Sequence, residues 1–264
     1  METSKLNENK VKKYISEGKR FDGRALDEFR EIKIETGISK HAEGSAKVRL
    51  GKTEVIVGVK MDVAAPFPDT PNKGNLVTNA ELSPMSSPDF ESGPPKFPSI
   101  ELGRVIDRGI RESKFIDFEK LCIKEGEKVW NVFIDIYSVN DDGNILDAAG
   151  IGALAALKAT MMPKYDEETG KANYKEHEGK LPLSKDYTPV SLTVYKVGNT
   201  FLVDPTKEEQ DACDMRLTTS GWKDTIFAMQ KGQSGTVPHE EMGKLFDMAE
   251  KVREKVLAKV EKHF

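Results

Sequence analysis

Wound at about 100° per residue, the stretch 99–113 puts Arg104, Arg108 and Arg111 in one narrow arc and Leu102, Val105, Ile106, Gly109 and Ile110 in the opposite one. Arginine keeps its charge at every physiological pH and presents a planar fork that fits phosphate oxygens two at a time. A row of such forks about 5–6 Å apart suits a repeating phosphate backbone. Asp107 stands within pairing distance of Arg104 and Arg111 along the same helix. On spacing alone, an ion-paired, solvated helix face outweighs phosphate contact.

A second place for anion chemistry is the turn between a strand at 128–139 and a helix at 147–162. Free N–H groups at a helix N-terminus bind phosphate when a glycine-rich turn leads into them. Here Ile145 and Leu146 offer neither charge nor side-chain donor, and Asp147 sets a carboxylate where the anion would lie. The sequence therefore predicts that Asp147 caps its own helix and repels phosphate.

Carboxylates for acid catalysis gather at Asp204, Glu208, Glu209, Asp211 and Asp214, with Asp214 just ahead of Met215 at a predicted strand. A solvated acidic turn is the simpler reading of this cluster. His41, Lys60 and Ser220 have no base or nucleophile partner by spacing, so nucleophilic catalysis lacks support. The four histidines show no HxxxH or HExxH spacing, and no metal site is expected.

The chain of 264 residues is long enough for one large domain or two small ones, and 38% hydrophobic with 32% charged residues is an ordinary soluble composition. A net charge of −4 supplies no global field for nucleic acid, so any such site must be a local patch. Cys122 and Cys213, without CxxC spacing, point to a reducing compartment. No signal-peptide pattern and no apolar run of about 18 residues is present, which predicts a cytoplasmic protein with no membrane partner.

The elements that must position these groups follow from periodicity. A helix is expected at 4–17, with Val11, Tyr14 and Ile15 inward and Gly18 as its stop, before the charged turn Arg20-Phe21-Asp22-Gly23-Arg24. A strand at 31–36 precedes a hairpin of 43–50 and 53–64 over Gly51-Lys52, with Val55, Val57, Val59 and Met61 on one face. After a strand at 76–82, the stretch 83–98 holds five prolines and reads as a loop delivering Ser99 as N-cap of the arginine helix. The strand at 128–139 looks buried on both faces, and Pro163 should end the Ala/Gly-rich helix after it.

Residues 164–186 are polar enough for a mobile insertion or link. A hairpin of 190–197 and 200–204, strands at 212–219 and 223–230, and an amphipathic helix at 239–262 complete the chain. Strands and helices mix without strict alternation, which is the α+β class.

Three segments resemble the RNase PH family: Arg20-Phe21-Asp22-Gly23-Arg24, Glu101-Leu102-Gly103-Arg104-Val105-Ile106-Asp107-Arg108 and Asp142-Gly143-Asn144-Ile145-Leu146-Asp147-Ala148-Ala149. The form of 141–149 and of Pro71-Asn72-Lys73-Gly74-Asn75 is similar to the non-catalytic branch found in the archaeal exosome, and the likeness runs from about residue 19 to the C-terminal helix. The resemblance implies an RNase PH-like fold, a mixed sheet with helices like ribosomal protein S5 domain 2, plus a second smaller α/β lobe. The expected division is a first lobe with its N-terminal helix at 1–163, a polar insertion or linker at 164–186, and a second lobe at 187–264.

The resemblance also implies a function. Catalytic members degrade RNA from its 3′ end with inorganic phosphate as attacking group. They carry Gly-Thr-Arg where this chain reads Asn144-Ile145-Leu146, and two aspartates where it has Glu208 and Asp214. Phosphoryl transfer rests on positioning and charge neutralisation, and losing such a clamp costs on the order of 10²–10³ in rate. The chain is thus expected to have no catalytic residues and no cofactor of its own, phosphate being used by a partner's active site. Arginines matching Arg104 and Arg108 contact RNA across the interface in the resembled subunit, and Arg111 joins them by geometry.

Expected partners are a catalytic RNase PH-like paralogue in a hexameric ring of three plus three, RNA-binding cap subunits, and single-stranded RNA. Two other readings stand beside this one. The chain could itself be an active phosphate-dependent 3′-to-5′ exoribonuclease working through Asp214, or an RNA-binding protein of S5-like fold with no ring.

Overall fold

The computed structural model describes residues 5–263. Helix α1 (Lys5–Ser16) buries Val11 and Ile15, while Tyr14 lies against the Phe21 ring at 4.7 Å; the expected start at Ser4 lies outside the described residues. The first sheet is ordered β1-β2-β3-β6-β4, from β1 (Ile32–Thr36), β2 (Gly44–Leu50), β3 (Thr53–Ala64), β4 (Asn75–Glu81) and β6 (Lys128–Asn140), with the short β5 (Cys122–Lys124) beside β6. Its pairs are antiparallel except β4 with β6, which run parallel. Val55, Val57, Val59 and Met61 are fully buried along β3, as period-two alternation requires.

The helices cover one face of this sheet. Trp130, Val132, Ile134 and Ile136 of β6 are buried, but Tyr137 on the other face is 43% exposed. The expectation of burial on both faces is therefore corrected: the helices α2 (Phe97–Ser113) and α3 (Ile145–Lys158) lie on the same side. The second sheet, β10-β9-β11-β12, is built from β9 (Val190–Val197), β10 (Thr200–Val203), β11 (Met215–Trp222) and β12 (Thr225–Gly232). It packs against the other flank of the same two helices, and α5 (His239–Val260) lies on β9.

Small residues make this three-layer stack possible. A Cβ on Gly103 would lie 3.0 Å from the Thr78 carbonyl oxygen of β4, and one on Gly109 would lie 2.8 Å from Ser220 Oγ of β11. Helix α2 is thus wedged between the two sheets, and α3 likewise, where a Cβ on Gly152 would lie 2.7 Å from Val57 Cγ2. Each aliphatic side chain buried there contributes about 1.5–3 kcal/mol.

Several local expectations are corrected. Ser99 is not the N-cap of α2, which is Lys96; Pro98 occupies the first turn, and the Ser99 hydroxyl donates instead to the Ala80 carbonyl. Helix α3 ends at Lys158 rather than at Pro163, where Thr160 Oγ1 donates back to Ala156 O at 2.8 Å. Residues 164–186 are not a bare link: β7 (Met161–Asp166) and β8 (Lys171–Lys180) form a separate antiparallel hairpin. Tyr174 anchors it by donating from its hydroxyl to Met61 O at 3.1 Å. Strands β11 and β12 begin later than periodicity predicts, at Met215 and Thr225, and a short helix α4 (Lys207–Asp211) with its C-cap Ala212 precedes β11.

Candidate nucleic-acid interface and the turn before α3

Helix α2 presents the predicted arginine row, but its three members differ. Arg104 is exposed and makes no hydrogen bond or ion pair with any described residue. Arg108 donates from Nη2 to Gln230 Oε1 of β12 at 2.8 Å, a neutral partner that leaves its charge uncompensated. Arg111 holds Asp107 in a two-pronged pair, Nε to Oδ2 at 3.0 Å and Nη2 to Oδ1 at 2.9 Å, and also donates to Leu76 O. Asp107 has thus chosen Arg111 over Arg104. Phe97, 73% exposed, and Ile100 continue the same outward face toward the helix N-terminus, with Met85 of the preceding loop also exposed. Apolar side chains beside arginines are the composition of a protein interface core.

The turn before α3 is filled from within. Asn144, in the left-handed region at φ 59°, is the N-cap, and its side chain makes no capping bond to the helix backbone. Its backbone N–H donates to Gln210 Oε1 at 2.8 Å, so a carboxamide oxygen from α4 occupies the N-terminus of α3. The Asn144 carboxamide donates to both Asp147 Oδ2 and Asp204 Oδ1 at 3.0 Å, and Tyr195 Oη donates to its Oδ1 at 3.2 Å.

Asp147 is not a cap. It is fully buried and turned toward β9, where its two oxygens accept from the Thr193 hydroxyl at 2.7 Å and the Thr193 N–H at 3.2 Å. Burial pushes its carboxyl up to about 7, against the pull of the Thr193 and Asn144 bonds.

Two members of the acidic cluster, Asp204 and Glu209, depart from the solvated turn, while Glu208 and Asp211 are exposed as it predicts. Asp204 is fully buried between Arg24 and Arg30, accepting from Arg24 Nη1 at 2.9 Å and from Arg30 Nη2 at 2.6 Å. Glu209 is buried and pairs with Arg20, Nε to Oε1 at 3.0 Å and Nη2 to Oε2 at 2.5 Å, while closing a capping box with Thr206. Arg20 also donates to the carbonyls of Val203 and Asp204, at 3.1 and 2.7 Å. The charged turn at 20–24 is therefore a staple onto the second lobe, a role its sequence did not signal.

Of the two residues at the acid-pair positions, Glu208 is exposed on α4. Asp214 accepts from the Gly198 N–H at 2.7 Å and pairs with Lys12 at 3.4 Å, serving the β9–β10 turn.

A cavity of about 130 Å³ lies beside Ile145 and Leu146, bounded by Leu82, Phe90 and Tyr195. The cations that line it are neutralised. Arg216 Nη2 meets Glu101 Oε2 at 2.5 Å, and Lys207 Nζ lies 3.0 Å from Asp89, 3.1 Å from Asp211 and 3.9 Å from Asp141. Among the described residues, no group of three or more His, Cys, Asp or Glu side chains is placed to hold a metal ion, and no helix is long and apolar enough to cross a membrane.

Two lobes, each a sheet packed on shared central helices and joined by an arginine staple, place the chain among proteins of the RNase PH architecture. Residues 28–163 match domain 1 of the 3′ exoribonuclease family (RNase PH), and residues 187–252 match domain 2. The chain belongs to that family. It is 47% identical over 253 residues to the exosome complex component Rrp42 of Thermococcus onnurineus (strain NA1), covering 93% of this chain and 92% of the relative. It is 44% identical over 254 residues to the protein of the same name from Methanopyrus kandleri, covering 96% and 95%. A chain of the Archaeoglobus fulgidus exosome, solved with RNA bound to the active site, superposes with a TM-score of 0.89 at 44% identity, covering 96% of this chain and 97% of that one.

Proposed function

We propose that this chain is a non-catalytic subunit of the archaeal exosome, a 3′-to-5′ RNA-degrading complex, and that it binds RNA and shapes the active site of a catalytic RNase PH-like partner. The relatives named as exosome components and the exosome structure with bound RNA support membership. The observation that carries the division of labour is a contrast in charge. Arg104 and Arg108 have no carboxylate partner among the described residues, whereas Lys207 and Arg216 near the α3 N-terminus are each paired internally.

Phosphorolysis needs a free cationic cradle for the attacking phosphate and the scissile phosphate. Asn144, Ile145 and Leu146 with Gln210 leave none, so phosphate is used in the partner's site and this chain needs no cofactor. The exposed Phe97, Ile100 and Met85 next to the arginines supply the apolar surface that the partner covers in a ring of three plus three. Cap subunits that bind RNA complete the assembly. The free cysteines Cys122 and Cys213 suit the reducing cytoplasm, where this RNA turnover takes place.

The test is to incubate single-stranded RNA and phosphate with the purified chain, with its paralogue, and with both. The expected result is 3′ shortening only when both are present. Phosphate-dependent shortening by this chain alone would establish the alternative, an active exoribonuclease, and overturn the reading.

A further inference from the structure

At the C-terminal end of α2 the arginine row runs into a groove of about 790 Å³. Three separate segments build it, and backbone bonds lock them together. Gly74 N–H donates to Phe118 O at 2.8 Å, tying the β3–β4 loop to the 3₁₀ turn after α2. Asp117 N–H donates to Pro182 O at 2.9 Å, Ser184 N–H to Phe115 O at 2.8 Å, and the Tyr187 hydroxyl to Lys114 O at 3.2 Å, tying the far wall to the same turn. The groove is preformed, so a ligand there does not bear the entropy of ordering its walls.

Its chemistry is cationic and aromatic. Five cations line it against three carboxylates, and one of the five, Arg111, is paired with Asp107 outside the lining. Asp117 is taken by Lys120 at 2.7 Å and Glu119 by Lys73 at 3.7 Å, which leaves Asp186 as the one carboxylate of the lining without an ion-pair partner among the described residues. Lys114 and Lys185 have no carboxylate partner among the described residues. Phe67, 45% exposed, belongs to the same lining and leaves its ring open to solvent.

We propose that this groove is a second single-stranded RNA subsite, continuous with the arginine row, in which Lys114 and Lys185 hold backbone phosphates and a base stacks on Phe67. It rests on the reading of α2 as an RNA contact. Ten residues of helix at about 1.5 Å each separate Arg104 from Lys114, so one strand laid along α2 reaches the groove after about 15 Å. Lysines along a track with an aromatic platform are the sequence-tolerant way of holding a single strand, each stacked base adding about 1–3 kcal/mol.

The experiment compares RNAs of about 3 nucleotides, too short to run from Arg104 into the groove, and about 20 nucleotides by fluorescence anisotropy on the full chain over a salt series. K114E/K185E is expected to weaken the long RNA at least about tenfold and lower its salt slope by about 1.4, while sparing the short one. F67A is expected to weaken the long RNA with its salt slope intact. R104E is expected to weaken both lengths. Should R104E act while K114E/K185E and F67A leave long RNA unchanged, the groove proposal is overturned and the α2 contact stands; should R104E also have no effect, the α2 contact itself is wrong. Unaltered RNA affinity together with loss of a protein subunit from the complex in K114E/K185E would assign the groove to a protein segment and likewise overturn it. K114Q/K185Q, with unchanged circular dichroism, guards against misfolding and is expected to lower the salt slope by the same amount, about 1.4, with a smaller loss of affinity because no carboxylate repels the strand.

Discussion

Gln210 Oε1 accepts the backbone N–H of Asn144 at 2.8 Å, so the N-terminus of α3 meets an internal carboxamide where an anion would otherwise sit. Phosphate should therefore leave the melting temperature of the isolated chain unchanged relative to chloride at equal ionic strength. A phosphate-specific rise, which ligand binding to the native state requires, would show a working anion site. Gln210→Ala should destabilise by about 1–3 kcal/mol by orphaning the Asn144 N–H. It should create no phosphate affinity, because Lys207 and Arg216 remain paired.

What could be read from the chain beforehand follows the range of the interactions involved. The hairpin over Gly51-Lys52 and the outward arginines of α2 are set by neighbours a few residues away, and alternation and helical period found both. The hairpin within the polar stretch 164–186 gave no signal because β7 and β8 lack apolar alternation; contacts such as Tyr174 to Met61 and Lys128 to Tyr165 hold it, across 113 and 37 residues. Asp204 and Glu209 looked like a solvated turn because the arginines that neutralise them lie 174–189 residues earlier. Asp147 likewise has a local alternative, capping, that a buried Thr193 hydroxyl outcompetes.

The Arg20–Glu209 pair gives the staple a measurable strength. Both side chains are buried, so removing one partner strands a charge, at a cost of about 3–5 kcal/mol. Glu209→Ala and Arg20→Ala should each lower the midpoint of urea unfolding by that order. The double variant should cost less than their sum, and strict additivity would show that the two do not act as a unit.

Asp147 should write a pH dependence into stability. Its folded value of about 7 stands above the unfolded 3.8, so between these limits the native state binds a proton that the unfolded state has released. Stability contributed this way is fully present below about pH 4 and is lost as pH rises through about 7. At 1.36 kcal/mol per unit the loss is roughly 4 kcal/mol. Asp147→Asn should flatten this segment of the stability–pH curve measured by urea unfolding. A wild-type curve rising steadily from pH 4 to 7, unaltered by the substitution, would remove Asp147 as its source.

The arginine row should respond in graded fashion rather than equally. Among the described residues Arg104 has no hydrogen-bond or ion-pair partner and Arg108 has only the neutral Gln230, so each charge is available to an RNA phosphate. Arg104→Glu and Arg108→Glu should each reduce the salt slope of single-stranded RNA binding by about 0.7, uniformly across sequences. Arg111 is already committed to Asp107, so neutralising it also frees a carboxylate beside the row. Arg111→Ala should therefore weaken RNA binding partly through repulsion, and adding Asp107→Ala should restore part of the affinity. Anisotropy titrations at several salt concentrations measure all four variants. Equal losses at the three arginines, with no rescue by Asp107→Ala, would mean that the Arg111–Asp107 pair opens when RNA binds.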